Sequence, residues 1–346
     1  MSDVLAVSPP RAAGLAGVVL EGAAAVERLL PQYEELAERC RLPVTARAAW
    51  VRARMEADPT AFPWAVVLRD GDGGLRAAAV LLDRQVGGRR QVVLAGGGEG
   101  YRAGVAAADP ADAHLLGRAM AGRLVRRASS RALDLGPLLD DACTAGLAAG
   151  LGAELVACDA VPMVRRDRGA DVSAYLSHGT RKTLRKARNR METDGLEHCV
   201  RFTDDADVVA DLLPHLEAAY RDRDREHGLP CLLDTAAGHR LWRGRIQHLL
   251  AIGSLEVATL WISGRPVAYV AGIRDGRRYG LLEGRFLTAW SRYAPGRLLE
   301  AEVLQRVLAD DRLDGLDWMT GIASETLLST NAVEPVVAVR SPRTSL

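Results

Sequence analysis

The sequence has no excess of charge of either sign. Its 346 residues include 45 Lys plus Arg and 44 Asp plus Glu, which gives a formal net charge of +1. A chain this balanced has no general affinity for polyanions, so any such affinity must come from a local cluster of cations. Apolar residues are not lacking, because 48% of the chain is hydrophobic, which is enough for a globular core.

Cysteine is scarce, and no two cysteines form a CxxC pair. The five cysteines are an odd number and are widely spaced. This pattern favours a reducing compartment and argues against a disulfide framework or a zinc site. His227 and Cys231 are four residues apart, but Gly228 and Pro230 lie between them and prevent a helical pair of ligands. We therefore predict no metal site.

Long apolar runs are also missing from the sequence. No run reaches the roughly 18 apolar residues that a membrane-spanning helix needs. The apolar stretch before Glu21 is too short for a signal peptide, and Asp3 and the Pro9–Pro10 pair precede it. The sequence therefore predicts a soluble, cytoplasmic protein without a membrane span.

The two halves of the chain follow the same order of predicted elements. Each half has three strands joined as antiparallel neighbours, then a helix, then one more strand beside the third. The first half has strands at 64–69, 75–84 and from 90, a helix at about 112–127, and a strand from 132. The second half has strands at 255–263, 266–276 and 277–286, a helix at about 296–310, and a strand at 313–318.

This order predicts an α+β protein with two lobes, each a mixed, mainly antiparallel sheet flanked by helices. A length of 346 residues also favours two domains. We place the N-terminal lobe at 1–165 and the C-terminal lobe at 166–346. One continuous α+β domain is the alternative.

The predicted order of elements is that of the GNAT acyltransferase fold, and 175–340 resembles the CelD/BcsL-like acetyltransferases of that superfamily. Four stretches carry the likeness: YLSHGTRKTLRKARNR, LEVATLWISGRPVAYVAG, YAPGRLLEAEVLQ and LDGLDWMTG. The two-lobed arrangement also resembles the Fem peptidoglycan aminoacyltransferases, which take their acyl group from aminoacyl-tRNA. The resemblance implies an acyltransferase whose active site lies in the C-terminal lobe.

In GNAT enzymes a Q/R-x-x-G-x-G/A turn before a helix holds the pyrophosphate of coenzyme A through backbone N–H groups. The corresponding residues here are 293–298, of which only Gly296 matches. Tyr293 replaces the Gln or Arg, and Leu298 replaces the last small residue. The resemblance therefore implies that Gly296, with Arg292 and Arg297 beside it, contacts the donor. The alternative is that the Pro-Gly pair only begins a core helix.

The most concentrated charge lies in one predicted helix, SHGTRKTLRKARNR at 177–190. At ~100° per residue, the apolar side chains form a narrow seam along this helix, and the basic side chains spread over about 200° of its circumference. The first four cations form like-charge pairs at i,i+4, which cost a few tenths of a kcal/mol each, and no acidic residue lies within four positions of them. The seam comprises Leu184, Ala187 and Met191, and the cations are Arg181, Lys182, Arg185, Lys186, Arg188 and Arg190.

This clustering predicts a phosphate-bearing partner for Arg181, Lys182, Arg185 and Lys186. A solvated surface, or pairing with an acidic stretch such as Asp204–Asp205, is the alternative. Coenzyme A offers a few phosphates, whereas tRNA offers many along its backbone. A second basic segment at 122–131 favours the longer polyanion; its cations are Arg123, Arg126, Arg127 and Arg131.

Amide formation from an activated acyl donor needs an aligned amine, a base and a stabilised oxyanion. The resemblance makes Glu283, on the third strand of the second half, the first candidate for the base. Asp317, at the end of the next strand, is the second, and Tyr293 is a candidate acid for the leaving group. Pairing of Glu283 with a neighbouring arginine and packing of Tyr293 are the alternatives. His178 and His227 are weaker candidates.

These observations predict an N-acyltransferase that forms an amide on a small-molecule amine, with no tightly bound cofactor. Aminoacyl-tRNA is the favoured donor and acyl-CoA the alternative; a non-catalytic scaffold that binds a polyanion is a third hypothesis. No helix-turn-helix or zinc-finger pattern points to DNA. Related proteins carry Tyr-Lys where this chain has Glu325 and Thr326, which favours specialised metabolism over a peptidoglycan or exopolysaccharide acceptor.

Overall fold

The computed structural model describes residues 15–98, 101–126, 132–319 and 327–341. The chain forms two compact units. The second unit is Val161–Glu334, and the first contains the chain up to Ala160 together with the residues from Pro335 onward. Each unit has its own sheet and hydrophobic core. Two lobes are therefore present, as the order of elements predicts.

The first unit contains most of the elements predicted for the N-terminal half, with slightly different ends. In chain order they are β1 (Ala16–Glu21), α1 (Ala23–Arg39), α2 (Ala48–Ala57), β2 (Phe62–Arg69), β3 (Leu75–Val86), β4 (Arg89–Leu94), β5 (Ala106–Ala107), α3 (Pro110–Arg126), β6 (Ala132–Leu139), α4 (Ala142–Leu151) and β7 (Glu154–Ala157).

The second unit repeats the order of strands and adds a long helical pair. Its elements are β8 (Val161–Arg165), α5 (His178–Thr193), β9 (His198–Thr203), α6 (Ala206–Glu226), α7 (Ala236–Ala251), β10 (Leu255–Ile262), β11 (Arg265–Asp275), β12 (Arg278–Phe286), α8 (Pro295–Ala309), β13 (Gly315–Asp317) and β14 (Ala332–Glu334). A final strand, β15 (Val336–Arg340), follows. Within the described residues, no helix is long and apolar enough to span a membrane.

Both sheets combine antiparallel pairs with one parallel pair. The first has the order β1-β2-β3-β4-β6-β15-β7, with β5 on β3, and the second has the order β14-β8-β13-β12-β11-β10-β9. The parallel pairs are β4 with β6 and β12 with β13. Each is joined by a helix, α3 or α8, as a parallel crossover requires. The fourth predicted strand of each half therefore lies beside the third, as expected.

The last strand does not follow the predicted domain division. We predicted 166–346 as one lobe, but β15 pairs with β6 and β7 of the first sheet. The unit boundary also lies after Ala160 rather than after 165, because β8 pairs with β13 and β14 of the second sheet. Each sheet is thus completed by a strand that is adjacent in sequence to the other unit. The local apolar pattern of a strand does not specify which sheet it joins.

Helices α6 and α7 are connected by one carboxylate with three hydrogen-bonding partners. Glu217 of α6 accepts hydrogen bonds from His239 and Arg243 of α7 and from Arg221 of its own helix. Burial acts to raise the pKa of Glu217, but these hydrogen bonds outweigh it and lower the pKa to about 2.

Because this folded-state pKa lies below the ordinary value of 4.5, Glu217 stabilises the fold above pH 4.5. That stability is lost as the pH falls from about 4.5 to about 2. We expect Glu217→Gln to lower the free energy of unfolding by ~1–3 kcal/mol at pH 7, and by much less at pH 3. Urea unfolding of both proteins at the two pH values checks this. An equal loss at both values would contradict the role of the charge.

Candidate active site

Strands β12 and β13 separate shortly after they begin. Their pairing covers Arg278 with Gly315, Tyr279 with Leu316, and Gly280 with Asp317. Beyond this point β12 continues to Phe286 beside β11, and its register shifts so that Leu282 forms a bulge. A bulge increases the local bend of a strand. The two parallel strands therefore diverge, and α8 begins near the end of β12.

The corresponding gap in the first unit is filled by the chain itself. Strands β4 and β6 pair only at Gln91–Ala132 and Val92–Leu133. Ala103 then forms a parallel bridge to Leu138 of β6. The Ala103 amide donates to the carbonyl of Pro137 (2.8 Å), and the Leu139 amide donates to the carbonyl of Ala103 (3.0 Å). Within the described parts of the chain, no such bridge joins β12 to β13. The second unit is therefore the better candidate for the active site.

Glu283 of β12 is held by two donors from different elements. Its Oε1 accepts the indole N–H of Trp242 on α7 (2.7 Å) and the hydroxyl of Tyr269 on β11 (2.8 Å). Burial and the neighbouring Glu283 raise the pKa of Tyr269 well above its usual value, so this hydroxyl remains a donor. Two hydrogen bonds to one oxygen fix the carboxylate and direct it towards the side of the sheet that α7 covers.

The alternative for Glu283, pairing with a neighbouring arginine, is only indirect. Arg285 lies on the same side of β12 and faces Asp224 of α6, with 3.6 Å between its Nε and Oδ1. Its guanidinium also stacks on the ring of Tyr220 at 4.5 Å. The ring of Tyr220 in turn meets Trp242 edge-on at 6.3 Å. Glu283 thus belongs to a polar and aromatic cluster between β12 and the α6–α7 pair.

Asp317, the second candidate base, is buried at the end of β13, with 1% of the residue exposed. Its Oδ1 accepts the backbone N–H of Met319 (2.8 Å), a residue with a positive φ of 62°. The carboxylate therefore stabilises the turn that ends the strand. Gly321 and the positions of Glu325 and Thr326 lie outside the described residues.

The predicted donor turn begins α8. Ala294 precedes the helix with φ 48° and ψ 48°, Pro295 is the first helical residue, and no side chain caps this end. An uncapped helix N-terminus exposes N–H groups and favours an anion. A Cβ on Gly296 would lie 3.2 Å from the ring of Phe286, so glycine allows β12 and α8 to approach closely here. Asp222 of α6 holds the segment that precedes this turn by accepting from the amide and hydroxyl of Thr288 (2.6 and 2.8 Å).

Two predicted site residues connect this turn to α5. Arg292 pairs with Asp194 Oδ2 (3.0 Å), and the Tyr293 hydroxyl donates to the same oxygen (2.6 Å). This hydrogen bond raises the pKa of Tyr293. Arg190 of α5 donates to the carbonyl of Arg292 (2.7 Å). The C-terminal end of α5 is therefore attached to the turn, and the Tyr293 proton is already shared with a carboxylate.

Arg297 faces a carboxyl that the sequence analysis missed. Its Nη1 lies 3.7 Å from Glu300 Oε2, and neither atom is exposed or hydrogen-bonded. Burial raises the pKa of Glu300 to about 7, and Arg297 opposes this only partly. The available signal was its position among the apolar residues of α8, at 298, 299, 303, 304 and 307.

Helix α5 docks by the predicted seam. Leu184, Ala187 and Met191 are buried, and Ser177 caps the helix by accepting the amide of Thr180 (3.0 Å). The guanidinium of Arg181 donates to the carbonyls of Ser173 and Leu176 (2.9 Å each). It therefore helps to anchor the segment that precedes the helix.

The remaining predicted cations of α5 divide into two groups. Arg188 pairs with Glu302 of α8 (3.1 Å), whereas Lys182, Arg185 and Lys186 are exposed and form no ion pair with any described residue. No ion pair joins these cations to the Asp204–Asp205 stretch of the alternative, and Asp205 caps α6. We refer to Lys182, Arg185 and Lys186 as the cationic face of α5; it lies opposite the buried seam.

The second predicted basic segment contributes less. Arg123 is largely buried, pairs with Glu21 of β1 and lies over the ring of Trp64 at 5.8 Å. It therefore has a structural role within the first unit. Arg127 and Arg131 lie outside the described residues, as does the side chain of Arg126. In the described regions, no group of three or more His, Cys, Asp or Glu side chains is arranged to hold a metal ion.

Comparison with solved structures shows likenesses of the fold across both units. FemX shares 10% identity with a TM-score of 0.57, over 84% of this chain and 88% of FemX. The C-terminal domain (DUF2156) of a protein assigned as a lysylphosphatidylglycerol synthetase in Agrobacterium fabrum shares 14% identity with a TM-score of 0.54, over 90% and 92%. L-PGS from Bacillus licheniformis shares 12% identity with a TM-score of 0.51, over 91% and 93%.

Sequence comparison gives a family for the second unit. No curated protein matches the chain by sequence. Residues 178–325 match the family model described as an acetyltransferase (GNAT) domain. This match covers α5, the diverging strands, the turn before α8, and Glu283. Residues 178–325 therefore form a GNAT acetyltransferase domain, which makes the protein an acyltransferase.

Proposed function

We propose that this acyltransferase transfers an aminoacyl group from aminoacyl-tRNA to the amine of a small molecule and forms an amide. The cationic face of α5 is the observation that carries the proposal. Lys182, Arg185 and Lys186 repel one another on a solvent-facing surface. The phosphates of a bound nucleic acid would offset this repulsion. Because α5 is attached to the turn before α8, tRNA bound on this face would be close to the candidate donor site.

The chemistry that we propose uses the gap between β12 and β13. The ester carbonyl of the donor would lie in this gap, and the acceptor amine would approach from the side of α6 and α7. Glu283 would take the proton that the amine loses, because the two hydrogen bonds to Oε1 hold the carboxylate in place. The uncapped start of α8 would favour negative charge on the donor.

Two considerations support an aminoacyl group over an acetyl group. One protein of similar fold is named as a lysylphosphatidylglycerol synthetase, and the product in that name carries an amino acid. The turn at 293–298 also lacks the last small residue of the coenzyme A motif, and Arg292 is already engaged with Asp194. We further propose that the acceptor belongs to specialised metabolism, since Glu325 and Thr326 replace the Tyr-Lys pair of related proteins.

Acyl-CoA remains the second candidate donor, supported by the uncapped N-terminus of α8. Under that alternative, coenzyme A would bind tightly and the cationic face of α5 would be irrelevant to the reaction. A non-catalytic scaffold that binds a polyanion is the third candidate. It would bind tRNA through α5 but would not depend on Glu283.

The test is the binding of bulk tRNA at a series of salt concentrations, beside the binding of coenzyme A. We expect Lys182→Glu, Arg185→Glu and Lys186→Glu together to weaken tRNA binding by ~10–100-fold at low salt. The slope of log K against log salt is expected to decrease in magnitude by about 2 to 3, because three cations that would neutralise phosphates are removed. Arg181 is left unchanged because its guanidinium anchors the residues before the helix.

A matched control distinguishes the effect of the cationic face of α5 from the effect of a change in net charge. Arg28, Arg89 and Arg90 of the first unit are also exposed, and changing all three to Glu alters the net charge by the same amount. We expect this control to bind tRNA within about threefold of the wild type. Equal weakening in both variants would contradict a specific role for α5. Tight binding of coenzyme A with no affinity for tRNA would favour the acyl-CoA alternative.

A further inference from the structure

Glu300 lies on the side of α8 that faces the sheet. Val303, Leu304 and Val307 follow it by three, four and seven residues, and residues at these spacings share one face of a helix. These three residues have 0%, 0% and 1% of their surface exposed. They pack in one hydrophobic cluster with Tyr279 and Leu281 of β12. Glu300 is the sixth residue of α8, so its carboxyl lies on the sheet-facing side of the helix close to the candidate donor turn.

The hydrogen-bonding capacity of this carboxyl is not satisfied. Oε2 of Glu300 and Nη1 of Arg297 are buried atoms without a hydrogen-bond partner, although the two lie 3.7 Å apart. Buried polar atoms are normally paired, and an orphan costs about 1–3 kcal/mol. A quarter of the Glu300 side chain is nevertheless exposed to solvent, so a ligand can reach it.

Glu302, two residues further along the same helix, is a carboxylate in an ordinary surface environment. It is exposed and pairs with Arg188 at 3.1 Å. Arg306 is likewise engaged, with Glu256 of β10. Of the described charged groups, only Arg297 acts on Glu300. Glu302 and Arg306 thus have close ion-pair partners, whereas Glu300 has only the 3.7 Å contact with Arg297, which is not a hydrogen bond.

We propose that Glu300 is the catalytic acid that gives a proton to the leaving oxygen of the donor. This inference rests on the proposed function, because it needs an ester donor. The 3′-oxygen of tRNA leaves as an alkoxide, which is far more basic than the thiolate of coenzyme A. An ester donor therefore needs a proton at the leaving atom much more than a thioester does.

The proposed step conserves atoms and protons. The acceptor nitrogen attacks the ester carbonyl and forms the C–N bond, and Glu283 takes one proton from this nitrogen. The C–O bond to the tRNA then breaks, and the carboxyl proton of Glu300 moves to the departing oxygen. The products are the amide and a free 3′-hydroxyl. Exchange with water returns a proton to Glu300 and removes one from Glu283.

The position of Glu300 suits it to this step because burial raises its pKa, so that part of the protein carries the proton at neutral pH. With a pKa of about 7, roughly half of the molecules carry the proton at pH 7, whereas an ordinary glutamate would carry almost none. The adjacent Arg297 would attract the carboxylate that remains after transfer. Acid and base would then act from opposite sides of β12.

The first experiment needs neither donor nor acceptor. The full-length protein is labelled with carbon-13 at the glutamate carboxyls, and their NMR shifts are followed across pH in the wild type, Glu300→Gln and Glu302→Gln. We expect a resonance that titrates near pH 7, is absent from Glu300→Gln and is present in Glu302→Gln. If the resonance lost in Glu300→Gln titrates near pH 4.5, the carboxyl is ordinary and the inference is overturned.

The second experiment varies the leaving group. Single-turnover transfer to methylamine is measured from bulk aminoacylated tRNA and from aminoacyl thioesters of N-acetylcysteamine. We expect Glu300→Gln to slow the ester reaction by ~10²–10⁴-fold and the thioester reaction by less than about threefold. The wild-type ester rate should fall as the pH rises through about 7, and this decline should be absent from the variant. Glu302→Gln should resemble the wild type throughout.

The outcomes separate the inference from the proposed function. If Glu300→Gln slows transfer equally from both donors, or from neither, the role of Glu300 is overturned. The proposed function still stands in that case, provided that the wild type transfers from charged tRNA. If the wild type transfers nothing from any charged tRNA, the proposed function fails and this role fails with it. Reduced binding of tRNA by Glu300→Gln in place of slower transfer would also contradict catalysis.

Discussion

Truncation of the chain after Glu334 is expected to unfold the first unit while the second remains folded. The deleted strand β15 lies between β6 and β7 in the first sheet and hydrogen-bonds to both. Four of its residues are almost fully buried, with 0–8% of each exposed: Val336, Val337, Ala338 and Val339. Burying three valines contributes about 5 kcal/mol, which is comparable to the whole stability of many domains.

Backbone groups add to this loss. Without β15, the inner edges of β6 and β7 lose their hydrogen-bond partners, and the apolar side chains of Leu135 and Leu138 lose part of their cover. Unpaired edges of this kind also favour association with other chains. We therefore expect the truncated protein to aggregate or to expose the first unit to protease, with protected fragments coming from the second unit.

Two further variants make this prediction specific. Truncation after Arg340 retains β15 and is expected to melt within a few degrees of the full chain. Val339→Asp in the full-length chain places a charge at a fully buried position of the same strand, and should destabilise the first unit by several kcal/mol. Limited proteolysis and thermal unfolding distinguish the variants. Normal stability after removal of β15 would contradict the pairing described here.

Glu283→Gln is expected to reduce the rate of acyl transfer by ~10²–10⁴-fold while tRNA binding stays within about twofold of the wild type. The substituted amide keeps an oxygen that can accept from Trp242 and Tyr269, so the packing of the cluster is retained. What is lost is the ability to take a proton from the acceptor amine. The effect should therefore appear in the rate constant of transfer rather than in donor affinity.

The same comparison discriminates an enzyme from a polyanion-binding scaffold. Glu302→Gln makes the same chemical change at an exposed position of α8 and is expected to leave both the rate and the affinity unchanged. Asp317→Asn tests the second candidate base; because Asp317 is buried in the turn after β13, we expect the main effect on stability. Full activity of Glu283→Gln would show that the base has been assigned to the wrong residue.

The strands of both halves could be predicted because each is a short apolar run followed by turn residues. For example, 64–69 and 75–84 correspond to β2 and β3. The destination of β15 could not be predicted, because VVAVR has the same pattern whichever sheet receives it. Helices α6 and α7 were not predicted either, although the hydrogen bonds to Glu283 depend on α7.

The candidate site was predictable to a similar extent. The position of Glu283 followed from the resemblance, and the docking seam of α5 followed from its periodicity. The sequence did not reveal that Arg181 and Arg292 are used internally, because their partners are a pair of carbonyls and a distant carboxylate. Glu300 was missed since a single acidic residue within an apolar helix is usually assumed to point towards solvent. Its burial depends on the packing of α8 against the sheet.

The measurement that tests the central claim most directly is a comparison of donors with the wild-type protein. Bulk tRNA charged with radiolabelled amino acids and radiolabelled acetyl-CoA are each incubated with the protein and methylamine, and labelled amide is counted. We predict transfer from aminoacyl-tRNA that is faster than the reaction without protein. This transfer should be slower in the variant that lacks the cationic face of α5. Transfer from acetyl-CoA alone, unaffected by that variant, would contradict the proposed donor.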